Sequence, residues 1–201
     1  MISAAVLCLL AGCSGGGDDA DAGPPRSSVS ETTSTTAPPP PEIDLSQPIP
    51  GGSLHGTPRP PLENTGDDYV AIFESLMANF RWLTENPDPA VLADLFVPGT
   101  EDHDTGLANF QFLVANGYRW ADEGYQLVSV EVVDARPEAV SLRFVDSLEV
   151  ERILDTNGAQ VGEARPRSPQ TKTWNALLTP DGNGRWRIAD AAPADAGTVQ
   201  L

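Results

Sequence analysis

TKTWNALLTPDGNGRWRIADA, residues 171–191, alternates apolar and polar side chains on both sides of a four-residue turn signal. A period of two is the mark of a half-buried strand, and Asp181-Gly182-Asn183-Gly184 supplies the residues that a tight reversal needs, so the stretch predicts an antiparallel hairpin. With the turn centred on Gly182, Trp174, Ala176 and Leu178 share a face with Trp186, Ile188 and Asp190, which puts a carboxylate at the end of an aromatic wall. The same turn opens like a calcium loop, but Arg185 stands at its fifth position and Ala192 at its twelfth, where a glutamate is needed.

Toward the N-terminus the period of two continues as far as Gly124. YQLVSVEVVD (125–134), AVSLRFVDSLEVERIL (139–154) and the weaker AQVGEARPR (159–167) are separated by Ala135-Arg136-Pro137 and Asp155-Thr156-Asn157-Gly158, and together with the last hairpin they predict a meandering antiparallel sheet. Val140, Leu142, Phe144 and Asp146 form a second apolar strand face that ends in an acid.

Before Gly124 the period lengthens to three and four. In TGDDYVAIFESLMANFRWLTENP (65–87), Tyr69, Ile72, Phe73, Leu76, Met77, Phe80 and Leu83 make one stripe, with acids at the start and Pro87 after the end, as an amphipathic helix requires. DPAVLADLFVPG (88–99) gives a short helix capped by Asp88, with Pro89 at its first position and Pro98-Gly99 as its stop. DTGLANFQFLVANGYRWADEG (104–124) carries Leu107, Phe110, Val114, Gly117, Tyr118 and Ala121 on one stripe and predicts a third helix ending near Gly124. Three helices followed by an antiparallel sheet make an α+β domain over residues 65–194, with the sheet wrapped around the first helix.

This order, closed by a G-x-W-x-I hairpin at Gly184-Arg185-Trp186-Arg187-Ile188, resembles the nuclear transport factor 2-like, or SnoaL-like, superfamily over about residues 65–193. The resemblance implies a cone with a pocket between sheet and helices. It implies no particular chemistry, since that family includes isomerases, dehydratases, epoxide hydrolases and proteins that only bind.

Tyr118, Tyr125, Phe144, Trp174 and Trp186 are the aromatic candidates for a pocket wall. Asp190 and Asp146 are the candidates for a general base if the domain is an enzyme, because a carboxyl buried against aromatic rings titrates high. The preferred reading of both acids is an ordinary polar strand end emerging into solvent. Glu101-Asp102-His103-Asp104 gathers three carboxylates and an imidazole, yet adjacent side chains cannot all converge on one ion, and acids at a helix start already serve capping and the dipole. No metal is expected. His103 is the only histidine from residue 65 onward, so histidine-based nucleophilic catalysis has no second member. No glycine-rich phosphate loop accompanies the aromatic residues, so no cofactor is expected.

The chain carries 29 acidic against 12 basic residues, a formal net charge of −17. Such a balance repels phosphate backbones and anionic headgroups, which argues against nucleic-acid binding and against membrane adsorption through basic charge. Attachment to a membrane therefore requires a specific anchor, and the N-terminus supplies a candidate. Cys8 and Cys13 are the only cysteines, both before the folded part, so they form no disulfide framework for it. Leu10-Ala11-Gly12-Cys13 resembles the bacterial lipoprotein lipobox, which implies that residues 1–12 are a signal peptide and that the Cys13 thiol carries a diacylglycerol. Residues 1–12 lack the basic opening usual in signal peptides, as expected if translation starts further upstream. Residues 13–64, rich in Pro, Ser, Thr, Gly and acids, cannot bury enough apolar surface to offset chain entropy and predict a disordered tether, while residues 195–201 form a tail.

The sequence thus predicts a lipid-anchored protein on the extracytoplasmic face of a bacterial envelope, whose cone-like domain binds a small ligand or an envelope partner without turning it over. The alternatives are a pocket enzyme of isomerase or dehydratase type with an Asp base, and a structural element of envelope assembly.

Overall fold

The computed structural model describes residues 54–196. The expected signal segment, Cys13, most of the tether and the end of the tail lie outside the described residues. Three helices, α1 (Tyr69–Glu85), α2 (Pro89–Leu95) and α3 (Glu101–Asn116), precede eight strands. A four-stranded antiparallel sheet in the order β2 (Gln126–Arg136), β3 (Ala139–Ser147), β7 (Thr171–Pro180), β8 (Trp186–Pro193) forms one wall. Two-stranded pairs close its flank: β1 (Arg119–Trp120) with β5 (Ile153–Leu154), and β4 (Val150–Glu151) with β6 (Arg165–Pro166). The expected α+β architecture is the one observed.

Local chemistry sets the helix ends. Asp68 accepts from the Ala71 N–H at 3.1 Å and caps α1, and Asp88 accepts from the Ala90 N–H at 3.0 Å ahead of Pro89 in α2. The third helix is shorter than its apolar stripe predicts. It stops at Asn116, where Gly117 takes a left-handed conformation (φ 67°) and its N–H bonds back into the last turn, so Arg119 and Trp120 leave as a strand. The long alternating run that starts at Ala139 also breaks, into β3, β4 and β5.

The core lies between α1 and the sheet. Ile72, Phe73, Leu76 and Leu83 of α1 are buried against Val140, Leu142 and Phe144 of β3 and Trp174, Ala176 and Leu178 of β7, the faces that alternation selects. The rings interlock: Tyr69 meets Trp186 edge-on at 5.2 Å, Phe73 meets Phe144 at 4.8 Å, and Phe110 meets Trp120 edge-on at 5.3 Å.

Residues 54–64, which composition assigns to the tether, run along α1 from its C-terminal end toward its start. The Leu54 and His55 N–H groups donate to the buried Glu85 carboxylate at 2.6 and 3.1 Å, and the Trp82 indole donates to the Thr57 carbonyl at 2.8 Å. The Arg59 guanidinium reaches Asn79 at 2.7 Å and Asp94 at 3.1 Å. Asn64 closes the strap on β8, its carbonyl accepting from the Trp186 N–H at 2.7 Å and its amide donating to the Trp186 carbonyl at 3.1 Å. Composition alone hides this packing, because the strap is held through backbone groups and a few polar side chains and buries little apolar surface of its own.

The candidate functional site

A cavity of about 160 Å³ lies between α1, α3 and the inner face of the sheet. Its walls are largely aromatic and aliphatic: Phe73, Met77 and Phe80 come from α1, Phe110 from α3, Phe144 from β3 and Trp174 from β7. Trp120 of β1, Ile188 of β8 and Leu92, Phe96 and Leu148 add to the apolar lining. Those on helices and strands sit on inward positions, so the periodicity that builds the core also builds the chamber.

Polar groups interrupt this lining. Asp102 of α3 lies against Ala191, and Asn109 of α3, Arg81, Thr84, Asp122, Tyr125, Asp146 and Glu151 supply the rest. Asp102 is the one member of the acidic quartet at the start of α3 that faces the cavity. Its carboxylate accepts from the Ala191 N–H at 2.7 Å, and burial raises its pKa against that bond. His103 turns instead to Asp104, 2.9 Å away, and among the described residues no group of three His, Cys, Asp or Glu side chains is arranged to hold a metal ion.

Asp146 lines the cavity as the β3 pattern predicts, but it is not a solvent-facing strand end. It is buried, and both of its oxygens are engaged. The Arg167 guanidinium grips it in a two-pronged pair at 2.9 and 2.7 Å, and the Trp174 indole N–H donates to it at 2.9 Å. A carboxylate so satisfied is a fixed structural anion rather than a free base. It holds Arg167 at 5.9 Å over the Trp174 ring, and Lys172 lies 6.0 Å from the same ring.

Asp190 is displaced from the predicted face. The β7–β8 register slips between Leu177 and Leu178, so that Leu178 pairs with Ile188 while Leu177 pairs with Asp190. One extra residue, Ala189, is taken up by this bulge, which reverses the facing of everything after it. Asp190 is consequently exposed and Ala191 takes the inward place at the cavity. Trp186 and Tyr118 lie off the cavity as well. The Trp186 ring packs on Tyr69 and donates to the Gly66 carbonyl at 3.0 Å, and Tyr118 packs on Phe112 with centroids 6.2 Å apart. Of the five aromatic candidates, Tyr125, Phe144 and Trp174 are the ones that line it.

Sequence reading missed the carboxyl at the centre of the chamber's polar side. Asp122 falls in the stretch that the apolar stripe assigns to the end of the third helix, whereas that helix stops at Asn116 and Asp122 follows β1. Burial, reinforced by the charges of Glu151 and Glu85 and opposed by Arg81 and Arg167, pushes its pKa up to about 7. Glu151 is also raised, again by burial, with Arg167, Lys172 and Arg165 pulling the other way. Beside these groups stands Tyr125. Its buried hydroxyl has no hydrogen-bond partner among the described residues, its ring lies 5.6 Å from the Arg81 guanidinium, and burial together with the Asp146 charge raises its pKa. A protonatable carboxyl and an unsatisfied phenol on one side of an apolar chamber can orient a small molecule that brings its own polar group.

Among solved structures the chain is similar to Aln2 from a Streptomyces species, at 14% identity and a TM-score of 0.42, over 64% of this chain and 92% of that one. It is similar to the intermembrane space region of chloroplast protein ARC6, at 12% identity and a TM-score of 0.41, over 62% and 95%. It is similar as well to an uncharacterized protein with a cystatin-like fold from Caulobacter vibrioides, at 15% identity and a TM-score of 0.38, over 60% and 84%. No protein-family model and no curated protein matches the chain. Likeness at this level transfers no site and no activity.

Proposed function

We propose that the domain binds a small, mainly apolar molecule inside the chamber, and that Cys13 holds the domain at the outer face of a bacterial membrane. One observation carries the binding reading: the cavity is walled by aromatic rings and at the same time presents the Tyr125 hydroxyl, which no described residue satisfies, beside the Asp122 carboxyl. A chamber shaped only by imperfect core packing would be apolar throughout, because an unsatisfied buried polar group costs about 1–3 kcal/mol. The volume suits a ligand with a single ring, since a cavity of roughly 150 Å³ accepts benzene.

The test uses 2-phenylethanol and the four indole N–H resonances of the full-length protein. Saturable shifts at Trp120 and Trp174, with Trp82 and Trp186 unmoved, are expected. Shifts spread evenly over all four, or none at Trp120 and Trp174, would contradict a ligand in the chamber.

A second reading follows from Asp122 alone. A carboxyl titrating near 7 beside a phenol can take and return a proton, so the enzyme alternative has its candidate base at Asp122 instead of Asp190 or Asp146. Phenylacetone in D2O separates the two readings. Deuterium entering the α-carbon in the presence of wild type and not of Asp122→Asn would establish proton transfer, and exchange at the uncatalysed rate would leave binding alone.

A further inference from the structure

The chamber's charges are unbalanced. Four acids reach its wall, Asp102, Asp122, Asp146 and Glu151, against one base, Arg81. Arg167 neutralises Asp146 from outside the wall, with two hydrogen bonds that leave that carboxylate nothing to offer. Arg81 lies over the Tyr125 ring. Asp102 is held by a backbone N–H and not by a cation. Asp122 makes no hydrogen bond or ion pair with any other group among the described residues, and Arg81 and Arg167 act on it at longer range, against Glu151 and Glu85. Asp122 therefore stands in the aromatic chamber with no cation at contact distance, whereas Glu151 has Arg167, Lys172 and Arg165 acting on it.

We infer that the ligand is an organic cation, a protonated amine on a small apolar body, seated against the aromatic rings with its ammonium directed at Asp122 and Glu151. This rests on the reading of the chamber as a ligand site and names the chemical class that the site selects. A buried negative charge is costly unless it is paired, and a ligand ammonium supplies the missing partner. The rings contribute in the same sense, because the faces of Trp120, Tyr125 and Phe110 attract a cation within about 6 Å. An anionic ligand would meet the acids head-on. A neutral ligand would fill the chamber and leave the carboxyl groups unmatched. Burial raises the pKa values of Asp102, Asp122 and Glu151, and a bound ammonium would act on them in the opposite sense.

Three probes of one shape decide between these cases: 2-phenylethylamine, 2-phenylethanol and phenylacetate, titrated calorimetrically into the full-length protein at pH 8. The amine should bind at least about ten-fold more tightly than the alcohol, and phenylacetate more weakly than either, as expected when a desolvated ammonium meets a carboxylate and ring faces. Asp122→Asn, which keeps shape and removes charge, should reduce the amine's advantage over the alcohol to about three-fold or less. Glu151→Gln should reduce it in the same direction, and serves as the check if the first variant folds poorly. Alcohol binding as tightly as the amine would overturn the cation assignment while leaving the chamber a ligand site. An amine advantage unchanged in both variants would overturn the assignment of its partners. Failure of all three probes would overturn both this inference and the reading on which it rests.

Discussion

Asp122 and Asp146 show how two carboxyls in one cavity come to opposite states. Asp146 has a guanidinium and an indole N–H at hydrogen-bond distance and serves as a fixed anion, whereas Asp122 has only distant cations and its pKa is pushed to about 7. The consequence for stability has a definite sign. Because the folded pKa of Asp122 exceeds its unfolded value near 4, its contribution to stability is full below pH 4 and is lost as pH rises through 7. Asp102 and Glu151 shift in the same direction. On the surface Asp181 does the reverse. Hydrogen bonds from the Arg185 and Asn183 N–H groups lower its pKa to about 2, so its contribution is present above pH 4 and lost as pH falls through 2. In urea denaturation Asp122→Asn should be more stable than wild type at pH 8, by up to about 4 kcal/mol, and the gap should shrink as pH falls and close below about pH 4. A gap that did not change with pH would show that Asp122 is not ionising inside the fold. Removing the cation at Asp146 has the opposite effect, since Arg167→Ala leaves a buried carboxylate unpaired. A loss of about 3–5 kcal/mol is expected, and a loss below about 1 kcal/mol would mean the pair is effectively solvated.

At the scale of elements, the parts legible in the sequence are those whose pattern is local. The stripe of α1 and the inward positions of β3 and β7 follow from periods of 3.6 and 2, α2 follows from its Asp88 cap and Pro89, and the Asp181–Gly184 turn follows from residue type, Asp181 accepting from the Asn183 and Arg185 N–H groups as such a reversal requires. What is not legible depends on exceptions to a period. Three of the five aromatic candidates face the cavity, while Asp190 does not, because one bulge residue inverts the strand's facing. Alternation puts Asp146 on the correct face but gives no sign of its state, because Arg167 arrives from the irregular segment after β6, where no pattern points at it. Asp122 lies past the true end of the helix in which the apolar stripe places it, and residues 54–64 are held mainly by hydrogen bonds, so the periodic pattern reveals neither. The strap supports a prediction of its own. A chain beginning at Thr65 leaves Glu85, Asn86 and the Trp82 indole without their strap partners. At about 0.5–1.5 kcal/mol for each bond lost, it should be less stable than one beginning just before Leu54 by roughly 3–6 kcal/mol. Equal urea midpoints for the two chains would show that the strap contributes nothing.

For the whole molecule, we propose an N-terminal anchor at Cys13 carrying the ligand chamber. The anchor is read from Leu10-Ala11-Gly12-Cys13, outside the described residues, and among those that are described no helix is long and apolar enough to cross a membrane. If Cys13 is acylated, wild-type protein should sediment with membranes and take up a palmitate analogue. Cys13→Ser should do neither, and equal labelling of both would exclude the anchor. The chamber is the central claim, and its most direct test is carbon-13 NMR titration of the Asp122 side-chain carboxyl, with and without saturating 2-phenylethylamine. Arg81 and Glu85 of α1, Tyr125 beyond β1, and Asp146, Glu151 and Arg167 from the sheet side all act around this carboxyl, so its midpoint reads the balance of the whole chamber. The account predicts a midpoint of about 7 in the free protein, falling below about 5 when the amine is bound. A midpoint near the ordinary value of about 4 in both samples would contradict it.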